Sequence, residues 1–378
     1  MKTLCHPLLL IALTLIWPAS PALQAQTYKV IHNFSRSVDG LQPNGLTADA
    51  AGNLFGTAEF GGTFGLGTVF KLDSTTHTVT VLHTFAGPPD GNNPTARLVV
   101  DSVGNLYGTT KNGGVNGKGT AFKIDASGVE TILHNFRGLD GRYPLSSLTP
   151  GPAGSMYGTA SAGGHPDDGV VFQITASGNE RLLHEFAGTD GAQPYGGLAK
   201  DSAGNLYGTT YGGGASNHGT VFKLAPDGTQ TVLHSFTGGA DGDKPEAEPV
   251  LDSAGNLYST TYLGGDSGLG TVFKIDSAGN FSVLHSFSGA DGARPSTGLV
   301  LDANGNLYGN TLQGGDSNVG VVFKLDPSGN ETILHSFAGG TDGARPTGTP
   351  LMTPNGTIFG STSAGGFHYD GTLFRIKP

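Results

Sequence analysis

Cysteine is almost absent from this sequence, and charged residues are scarce. The one cysteine among 378 residues, Cys5, lies near the N-terminus, so the rest of the chain contains no residue that could form a disulfide. Charged residues make up 13% of the chain, about half the usual ~25%. Because helical surfaces normally carry many Lys, Glu and Arg, this scarcity favours strands and turns over helices.

Clusters of basic residues and long apolar runs are missing as well. Lys and Arg number 20 against 30 Asp and Glu, which gives a formal net charge of −10. Proteins that hold a phosphate backbone concentrate Lys and Arg on one surface, so we expect no nucleic-acid partner. After residue 25 no apolar run reaches the ~20 residues of a membrane-spanning helix, so we expect no membrane span in the mature chain.

The first 25 residues differ from the rest of the sequence. Lys2 supplies a positive charge, Leu8 to Trp17 an apolar core, and Leu23-Gln24-Ala25 an exit of the kind that signal peptidases cleave. A membrane anchor is the alternative, but the apolar run is too short for one. This segment therefore predicts a secreted protein, extracellular or periplasmic, with a signal peptide cleaved near Ala25 and a single domain over residues 26–378.

Glycine is present in excess, and it accompanies an internal repeat. The chain has 64 Gly, about 17% against a usual ~7%. Three signatures recur in fixed order, similar to Leu-Tyr-Gly, to Gly-Thr-Val-Phe and to apolar-His-x-Phe. The repeated histidines are His32, His83, His134, His184, His234, His285 and His335. Their spacing is 50 or 51 residues throughout, which indicates one structural unit repeated seven times.

Each repeat unit contains four short runs that read as strands. In residues 197–236 they are Gly197 to Asp201, Leu206 to Tyr211, Thr220 to Leu224 and Gln230 to Phe236, separated by turns rich in Gly, Asn and Asp. Four strands in about 50 residues are typical of a propeller blade. The chain begins with a lone fourth strand and ends with a third, so we predict an all-β, seven-bladed β-propeller. Residues 28–34 would complete its last blade as a clasp.

The repeated sequences resemble a known family. They read Asp-x-x-Gly-Asn-Leu-Tyr-Gly-Thr-Thr, as at Asp201 to Thr210, then Gly-Thr-Val-Phe-Lys and Leu-His-Ser-Phe. These are similar to the GloVer tandem repeats of secreted bacterial choice-of-anchor proteins, over residues 28–376. The resemblance implies export and often a C-terminal sorting anchor, and it implies no activity. The turn sequence also resembles, more weakly, turns of streptogramin-lyase-like and sensor propellers.

The repeated polar residues are interpreted as structural. Seven copies of one histidine on seven blades suggest one repeated task, a largely buried imidazole hydrogen-bonded to a neighbouring strand or loop. An Asp-Gly pair follows each histidine, and turn chemistry explains it. The alternative is that these aspartates bind Ca²⁺ or reach the histidines. They are Asp39, Asp90, Asp140, Asp190, Asp241, Asp291 and Asp342.

Residues that break the repeat are the candidates for function. The links between blades and the loops between the second and third strands share one face, which we call the rim. Planar aromatics beside carboxylates suit a glycan or peptide ligand. The ligand-binding candidates, all near the third to fifth blades, are Tyr143, Tyr195, Tyr211, Tyr262, Glu246 and Glu248. Scattered surface tyrosines are the alternative interpretation.

Catalytic and metal-binding motifs are weak. Glu246 and Glu248 would lie roughly 7 Å apart on an extended segment, near the carboxylate spacing of inverting glycosidases, although a solvated acidic loop is the simpler explanation. His165, His218 and His368 occupy three loops of different blades, and only His368-Tyr369-Asp370 offers a local metal site. No phosphate loop or nucleophile elbow is present.

Together these features predict an exported, non-catalytic binding or scaffold propeller. We expect a monomer without cofactor or metal that recognises a glycan or an extracellular protein on the rim. A glycan-active lyase or hydrolase that uses the same rim is the alternative.

Overall fold

The chain folds as a seven-bladed β-propeller, as predicted. The computed structural model describes residues 26–377, and it arranges them as seven antiparallel sheets around a central channel. We number the blades 1 to 7 from the first complete sheet and name the strands of each blade A to D from the channel outward. Strands B and C do not alternate between buried and exposed side chains. Both of their faces are buried, because neighbouring blades cover them.

The strand bounds repeat closely from blade to blade. Strand A spans Thr47–Ala48, Val99–Val100, Thr149–Pro150, Ala199–Lys200, Val250–Leu251, Val300–Leu301 and Ala344–Met352 in blades 1 to 7. Strand B spans Leu54–Phe60, Leu106–Thr110, Met156–Ala160, Leu206–Thr210, Leu257–Thr261, Leu307–Thr311 and Ile358–Ala364. Strand C spans Thr68–Leu72, Thr120–Ile124, Val170–Ile174, Thr220–Leu224, Thr271–Ile275, Val321–Leu325 and Thr372–Lys377. Strand D spans Val79–Thr84, Glu130–Asn135, Glu180–Glu185, Gln230–Ser235, Phe281–Ser286, Glu331–Ser336 and Thr27–Asn33.

A few short elements lie outside this repeat. Leu41–Pro43 pairs with the end of strand B in blade 1, and Gly91–Asn92 pairs with Asn112–Gly113. Two short 3-10 helices span Pro152–Gly154 and Gly340–Asp342. These elements add local pairing at turns and at the rim without changing the blade count.

The clasp has the predicted topology. Strand D of blade 7 is the N-terminal strand, paired antiparallel with the C-terminal one from Thr27↔Lys377 to Asn33↔Thr372. Tyr28 also reaches blade 6, where its ring stacks on His335 at 3.6 Å between centroids. Its hydroxyl donates to the carbonyl of Asp342 at 2.5 Å. The N-terminal strand therefore binds both its own blade and the preceding one.

Strand A is shorter than predicted in blades 1 to 6. In blade 4 it covers only Ala199–Lys200, because the residues before it line the channel instead of pairing with strand B. Their carbonyls are satisfied by the preceding blade, since the Thr159 hydroxyl of blade 3 donates to Gly196 at 2.9 Å. The Thr209 hydroxyl of blade 4 donates to Ala247 of blade 5 at 3.0 Å in the same way. These bonds tie adjacent blades together around the channel.

The core is a set of aromatic contacts between neighbouring blades. Phe186, which follows strand D of blade 3, is fully buried and packs edge-to-face on Phe222 of blade 4 at 5.1 Å. Glycine at position 208 makes room for this ring, because a Cβ atom there would lie 2.6 Å from Phe222. Fully burying ~150–250 Å² of aromatic surface stabilises the fold by about 4–6 kcal/mol per ring before conformational entropy is subtracted.

Candidate functional site

The links between blades turn from the rim into the channel at a proline. The backbone N–H of Tyr143 donates to Lys118 in the loop of blade 2, and the Tyr143 carbonyl accepts from Ser161 of blade 3. Each residue before the proline adopts a left-handed conformation with φ between 55° and 58°, which is uncommon for residues other than glycine. These residues are Gln42, Asn93, Tyr143, Gln193, Lys244, Arg294 and Arg345.

The segments that follow these prolines line the mouth of the channel. They enclose a cavity of about 150 Å³ with contributions from all seven blades. One lining residue from each blade in turn is Gly45, Thr95, Leu145, Tyr195, Glu246, Ser296 and Gly348. Tyr195 and Glu246 bring an aromatic ring and a carboxyl group to adjacent blades, 4 and 5. The mouth of the channel is therefore asymmetric although the fold is repeated.

An ion pair crosses the channel below this mouth. Nη2 of Arg97 in blade 2 lies 3.2 Å from Oε1 and 3.3 Å from Oε2 of Glu248 in blade 5. Both residues also line a second cavity of about 300 Å³, whose other lining residues belong to blades 5 to 7. The pair thus lies between the two cavities and forms the floor of the upper one.

Two residues that line the mouth, Tyr195 and Glu246, have Tyr211 and Lys244 as neighbours at blades 4 and 5. The rings of Tyr195 and Tyr211 lie 5.0 Å apart at an interplanar angle of 48°. Nζ of Lys244 lies 5.1 Å from the centre of the Tyr211 ring. Glu246 follows Lys244 by two residues, and we call these four residues the mouth cluster. It combines apolar rings, a carboxyl group and an ammonium group at one opening.

The carboxyl group of the mouth cluster is perturbed by its surroundings. Burial raises the pKa of Glu246 from 4.5 to about 7, although the nearby Lys244 ammonium acts in the opposite direction. Burial also raises the pKa of Tyr195, with smaller contributions from Tyr211 and Glu246. Near neutral pH, Glu246 is therefore present both as a hydrogen-bond donor and as an acceptor.

The structure separates the other sequence candidates from this cluster. Tyr143 lies beside the guanidinium of Arg142, whose carbon is 5.3 Å from the ring centre. Tyr262 lies beside that of Arg294 at 5.6 Å. Neither tyrosine lines the channel mouth, and neither ring packs on that of Tyr195 as the Tyr211 ring does. Of the six candidates, three belong to the mouth cluster, Glu248 forms the floor below it, and these two tyrosines lie outside.

Glu246 and Glu248 line the same cavity, as their spacing predicts. Their environments differ, because both oxygens of Glu248 accept hydrogen bonds from Arg97. A glycosidase of the two-carboxylate type needs a second carboxylate that is free to act as base or nucleophile. Glu248 is already occupied by its guanidinium partner, so Glu246 is the carboxyl group available to a ligand.

The seven repeated histidines each contact the Asp of the following Asp-Gly pair. The distance from Nε2 to the nearer carboxylate oxygen lies between 2.6 and 3.2 Å in all seven cases. The same aspartates accept backbone N–H groups of their turns, as Asp140 does from Arg137 at 2.7 Å. The aspartate thus closes its turn and holds the imidazole, and these pairs lie on the outer side of the blades.

The other histidines named from the sequence have separate surroundings. Nδ1 of His218 lies 2.8 Å from Asp243, whereas the backbone N–H of His165 donates to Glu185 at 2.9 Å. His368 lies edge-on to the ring of Phe367. Asp370 accepts the backbone N–H of Arg36 at 2.8 Å. These residues do not form one shared site.

Two features were missed by sequence reasoning. Arg97 forms the channel floor, and an alignment of the seven repeats would have shown it at the position that Glu248 occupies three blades later. Large apolar side chains, three of them aromatic, are also exposed in the rim loops of blades 7 and 1, and we call this group the aromatic patch. Its large exposed residues are Val38, Phe64, Phe367 and Tyr369.

A comparison with family models accounts for the repeat. A model of the Gloeobacter/Verrucomicrobia repeat matches residues 19–217 and 151–374. The chain belongs to the Gloeobacter/Verrucomicrobia repeat family. This confirms the resemblance to GloVer repeats that the sequence signatures carry. No curated protein matches this family member in sequence.

Solved structures with the same fold include enzymes and extracellular domains. A streptogramin B lyase superposes with a TM-score of 0.65 at 14% identity, covering 95% of this chain and 99% of the lyase. Virginiamycin B lyase from Staphylococcus aureus gives 0.64 at 14% identity, with 93% and 100% covered. The extracellular domain of a hybrid two-component system from B. thetaiotaomicron gives 0.59 at 10% identity, with 90% of this chain and 39% of that chain covered. At these identities the similarity establishes the propeller fold of this repeat protein.

The described part of this repeat protein contains no helix of the length and apolarity needed to cross a bilayer. The signal peptide predicted over residues 1–25 lies outside the residues that the structure describes.

Proposed function

We propose that this protein is an exported, non-catalytic binding propeller that recognises the end of a glycan at the channel mouth. The observation that carries the proposal is that Tyr195 and Glu246 line one opening of an otherwise repetitive ring, with the ring of Tyr211 packed against that of Tyr195. A sugar ring needs an apolar face to stack on and polar groups for its hydroxyls. The mouth cluster offers both.

The shape of the site favours a small or slender ligand. Pockets bind small ligands in concave cavities, whereas protein partners require broad surfaces. The upper cavity measures about 150 Å³ and is closed below by the Arg97–Glu248 pair. It therefore accommodates one terminal residue of a chain, with the remainder of the ligand extending over the rim toward Tyr143 or Tyr262.

Charge restricts the ligand further. The protein carries a formal net charge of −10, and Glu246 adds partial negative charge at the site near neutral pH. Neutral glycans and amino sugars meet less electrostatic repulsion there than sulfated or uronic-acid polymers do. We expect binding of neutral or cationic chain ends.

A lyase or hydrolase acting at the same mouth is the second candidate. It is favoured by one observation, the raised pKa of Glu246, which suits a group that transfers protons near pH 7. It is disfavoured by the pairing of Glu248 with Arg97, which leaves Glu246 without a free carboxylate partner. The binding function requires neither a second carboxylate nor a nucleophile.

A glycan array followed by calorimetry tests the proposal. The unaltered protein should bind a set of neutral or amino-sugar glycans, and Tyr195→Ala or Glu246→Ala should weaken binding by about 1–3 kcal/mol. Tyr369→Ala is the matched control, because Tyr369 is an exposed rim tyrosine of blade 7 on the aromatic patch. This control should bind as the unaltered protein does.

Three outcomes would contradict the proposal. If Tyr369→Ala abolishes binding and Tyr195→Ala does not, the ligand occupies the aromatic patch. If a reducing-sugar assay on the same protein shows turnover that Glu246→Gln removes, the enzymatic candidate is correct. If the array shows no binding, the mouth cluster is not a glycan site.

Export is a separate part of the proposal and has its own test. It is supported by the N-terminal sequence and by the extracellular origin of a structural neighbour. Protein recovered from the culture medium or the periplasm should begin near Gln26. An intact Met1 on cytoplasmic protein would contradict export.

A further inference from the structure

Each repeated histidine faces the first part of strand D in the next blade. His335 stacks on Tyr28 at 3.6 Å, and His234 stacks on Phe281 at 3.8 Å. His83 instead lies 3.5 Å from a carboxylate oxygen of Glu130. The residues at this position around the ring are Tyr28, Val79, Glu130, Glu180, Gln230, Phe281 and Glu331. Three of the seven blade interfaces therefore place a glutamate against the His–Asp pair.

These three interfaces bring together one imidazole and two carboxylates. The clusters are His83, Asp90 and Glu130, then His134, Asp140 and Glu180, and then His285, Asp291 and Glu331. In each cluster one nitrogen and two oxygen atoms lie within 4.8 Å of one another. The clusters lie on the outer side of the propeller, away from the mouth cluster, so they are independent of the proposed glycan site.

The cluster between blades 5 and 6 shows the feature most clearly. The Glu331 side chain is 10% exposed, and Oε2 lies 3.7 Å from Nε2 of His285. Its other oxygen, Oε1, is fully buried and has no hydrogen-bond partner among residues 26–377. In the same part of the chain, neither Glu331 nor Asp291 forms an ion pair with Lys or Arg. A largely buried carboxylate and a partly exposed one thus share a single imidazole.

A bound cation would relieve the cost of this arrangement. A buried carboxylate oxygen without a partner costs free energy, and a second carboxylate nearby adds repulsion. At the other four interfaces an uncharged Tyr, Val, Gln or Phe occupies the equivalent position, so the fold does not require glutamate there.

We propose that His285, Asp291 and Glu331 bind a divalent transition-metal ion such as Zn²⁺. The cluster of His83, Asp90 and Glu130 is a second site of the same kind, with Glu130 Oε1 also buried and unpartnered among the described residues. Water would supply the fourth ligand in each, as in three-residue zinc sites.

The distances and the donor set both suit zinc. Bonds of ~2.0–2.2 Å in a tetrahedron place ligand atoms about 3.4 Å apart. Nε2 of His285 lies 3.1 Å from Asp291 and 3.7 Å from Glu331, and small shifts bring both to this value. An imidazole nitrogen favours zinc, copper, nickel or iron, whereas Ca²⁺ and Mg²⁺ prefer oxygen ligands throughout.

The third cluster should bind the metal more weakly. It opens onto a cavity of about 540 Å³ that is also lined by Arg137. The positive charge of the guanidinium opposes a cation there. The imidazole of His134 forms its ion pair with Asp140 and none with Glu180 within 4 Å.

Titration of the full chain with Zn²⁺ alone, followed by calorimetry at pH 7.5, tests the proposal. The unaltered protein should bind two equivalents tightly. Glu331→Gln and Glu130→Gln should each lose one of the two, and the double variant should lose both. Gln230→Ala is the matched control, since Gln230 occupies the same strand position at an interface without a glutamate, and it should retain both equivalents.

A second readout keeps the test independent of folding. Zn²⁺ should raise the melting temperature of the unaltered protein and leave that of the double variant unchanged, while far-UV circular dichroism checks that the double variant is folded. Unchanged stoichiometry in the double variant would overturn the proposal. So would the absence of tight Zn²⁺ binding by the unaltered protein, or displacement of the bound zinc by excess Ca²⁺.

Discussion

Replacement of Glu246 by glutamine should stabilise the protein in a manner that depends on pH. Burial at the channel mouth raises the pKa of Glu246 from 4.5 to about 7, even though Lys244 partly offsets it. Glutamine has nearly the shape of the protonated side chain and carries no charge. The variant therefore removes the ionisation of this carboxyl group while it preserves packing around Tyr195.

The direction of the pH dependence follows from the protonation of Glu246 in the folded chain and in the unfolded chain. Below pH ~4.5 Glu246 is protonated in both the folded and the unfolded chain, so its ionisation makes no difference to stability. Between about pH 4.5 and 7 the unfolded chain releases the proton while the folded chain retains it, so stability falls as pH rises. Each pKa unit corresponds to 1.36 kcal/mol, which gives a cost of at most about 3 kcal/mol above pH 7.

Urea unfolding at pH values from 4 to 8 measures this effect. The difference in the free energy of unfolding between Glu246→Gln and the unaltered protein should be near zero at pH 4 and should grow to about 3 kcal/mol at pH 8. Other titrating groups cancel in this difference. Lys244→Met provides a second test. Loss of the ammonium should raise the pKa of Glu246 further, so the pH at which stability changes should move to a higher value.

A difference that stays constant from pH 4 to pH 8 would refute the reasoning, because it would show that Glu246 titrates alike in the folded and unfolded chains. A variant that is less stable at pH 8 would show that the ionised carboxylate has a stabilising partner. Either result would also remove the electrostatic argument for Glu246 as a ligand contact.

Three further predictions concern the scaffold. His234→Ala should lower the free energy of unfolding by about 1–3 kcal/mol, because it leaves Asp241 without its imidazole partner; urea unfolding that shows no loss would contradict this role. Thr210→Val should cost about 2–3 kcal/mol, since the buried hydroxyl bonds both the N–H and the hydroxyl of Thr220. A double-mutant cycle with Thr220→Val should give less than additive losses, and strict additivity would exclude the coupling. Starting the chain at residue 35 instead of 26 removes Thr27–Asn33 and should lower the melting temperature, whereas an unchanged value would argue against the clasp.

The blade count and the closure of the ring were predictable because they depend on the residues of the turns and strands and on the length of the sequence repeat. Turns rich in Gly, Asn and Asp separate short β-branched and aromatic runs, and these features recur every 50 or 51 residues. The lone fourth strand at the start of the repeats implies the pairing of Thr27–Asn33 with Thr372–Lys377. No long-range contact has to be known to infer either property.

The candidate site was predictable only in part. Departures from the repeat identified Tyr195 and Glu246, which line the channel mouth, and Tyr211, whose ring packs on that of Tyr195. The same criterion also selected Tyr262, which the structure places beside Arg294 and outside the mouth. Departure from a repeat indicates that a residue is not needed by the scaffold, but it does not indicate which way the residue faces.

The sequence by itself determined the unit, its number and its order, because blades 1 to 6 each fold from contiguous residues and the unpaired strands at the two ends complete the seventh. Tertiary structure alone decided which side chains meet across blades. Arg97 and Glu248 are 151 residues apart and make contact only because the closed ring places blades 2 and 5 on opposite sides of one channel. His285 and Glu331 likewise meet because the curvature of the ring presses one outer strand against the next. Such contacts depend on the angle between neighbouring blades, which no local pattern encodes.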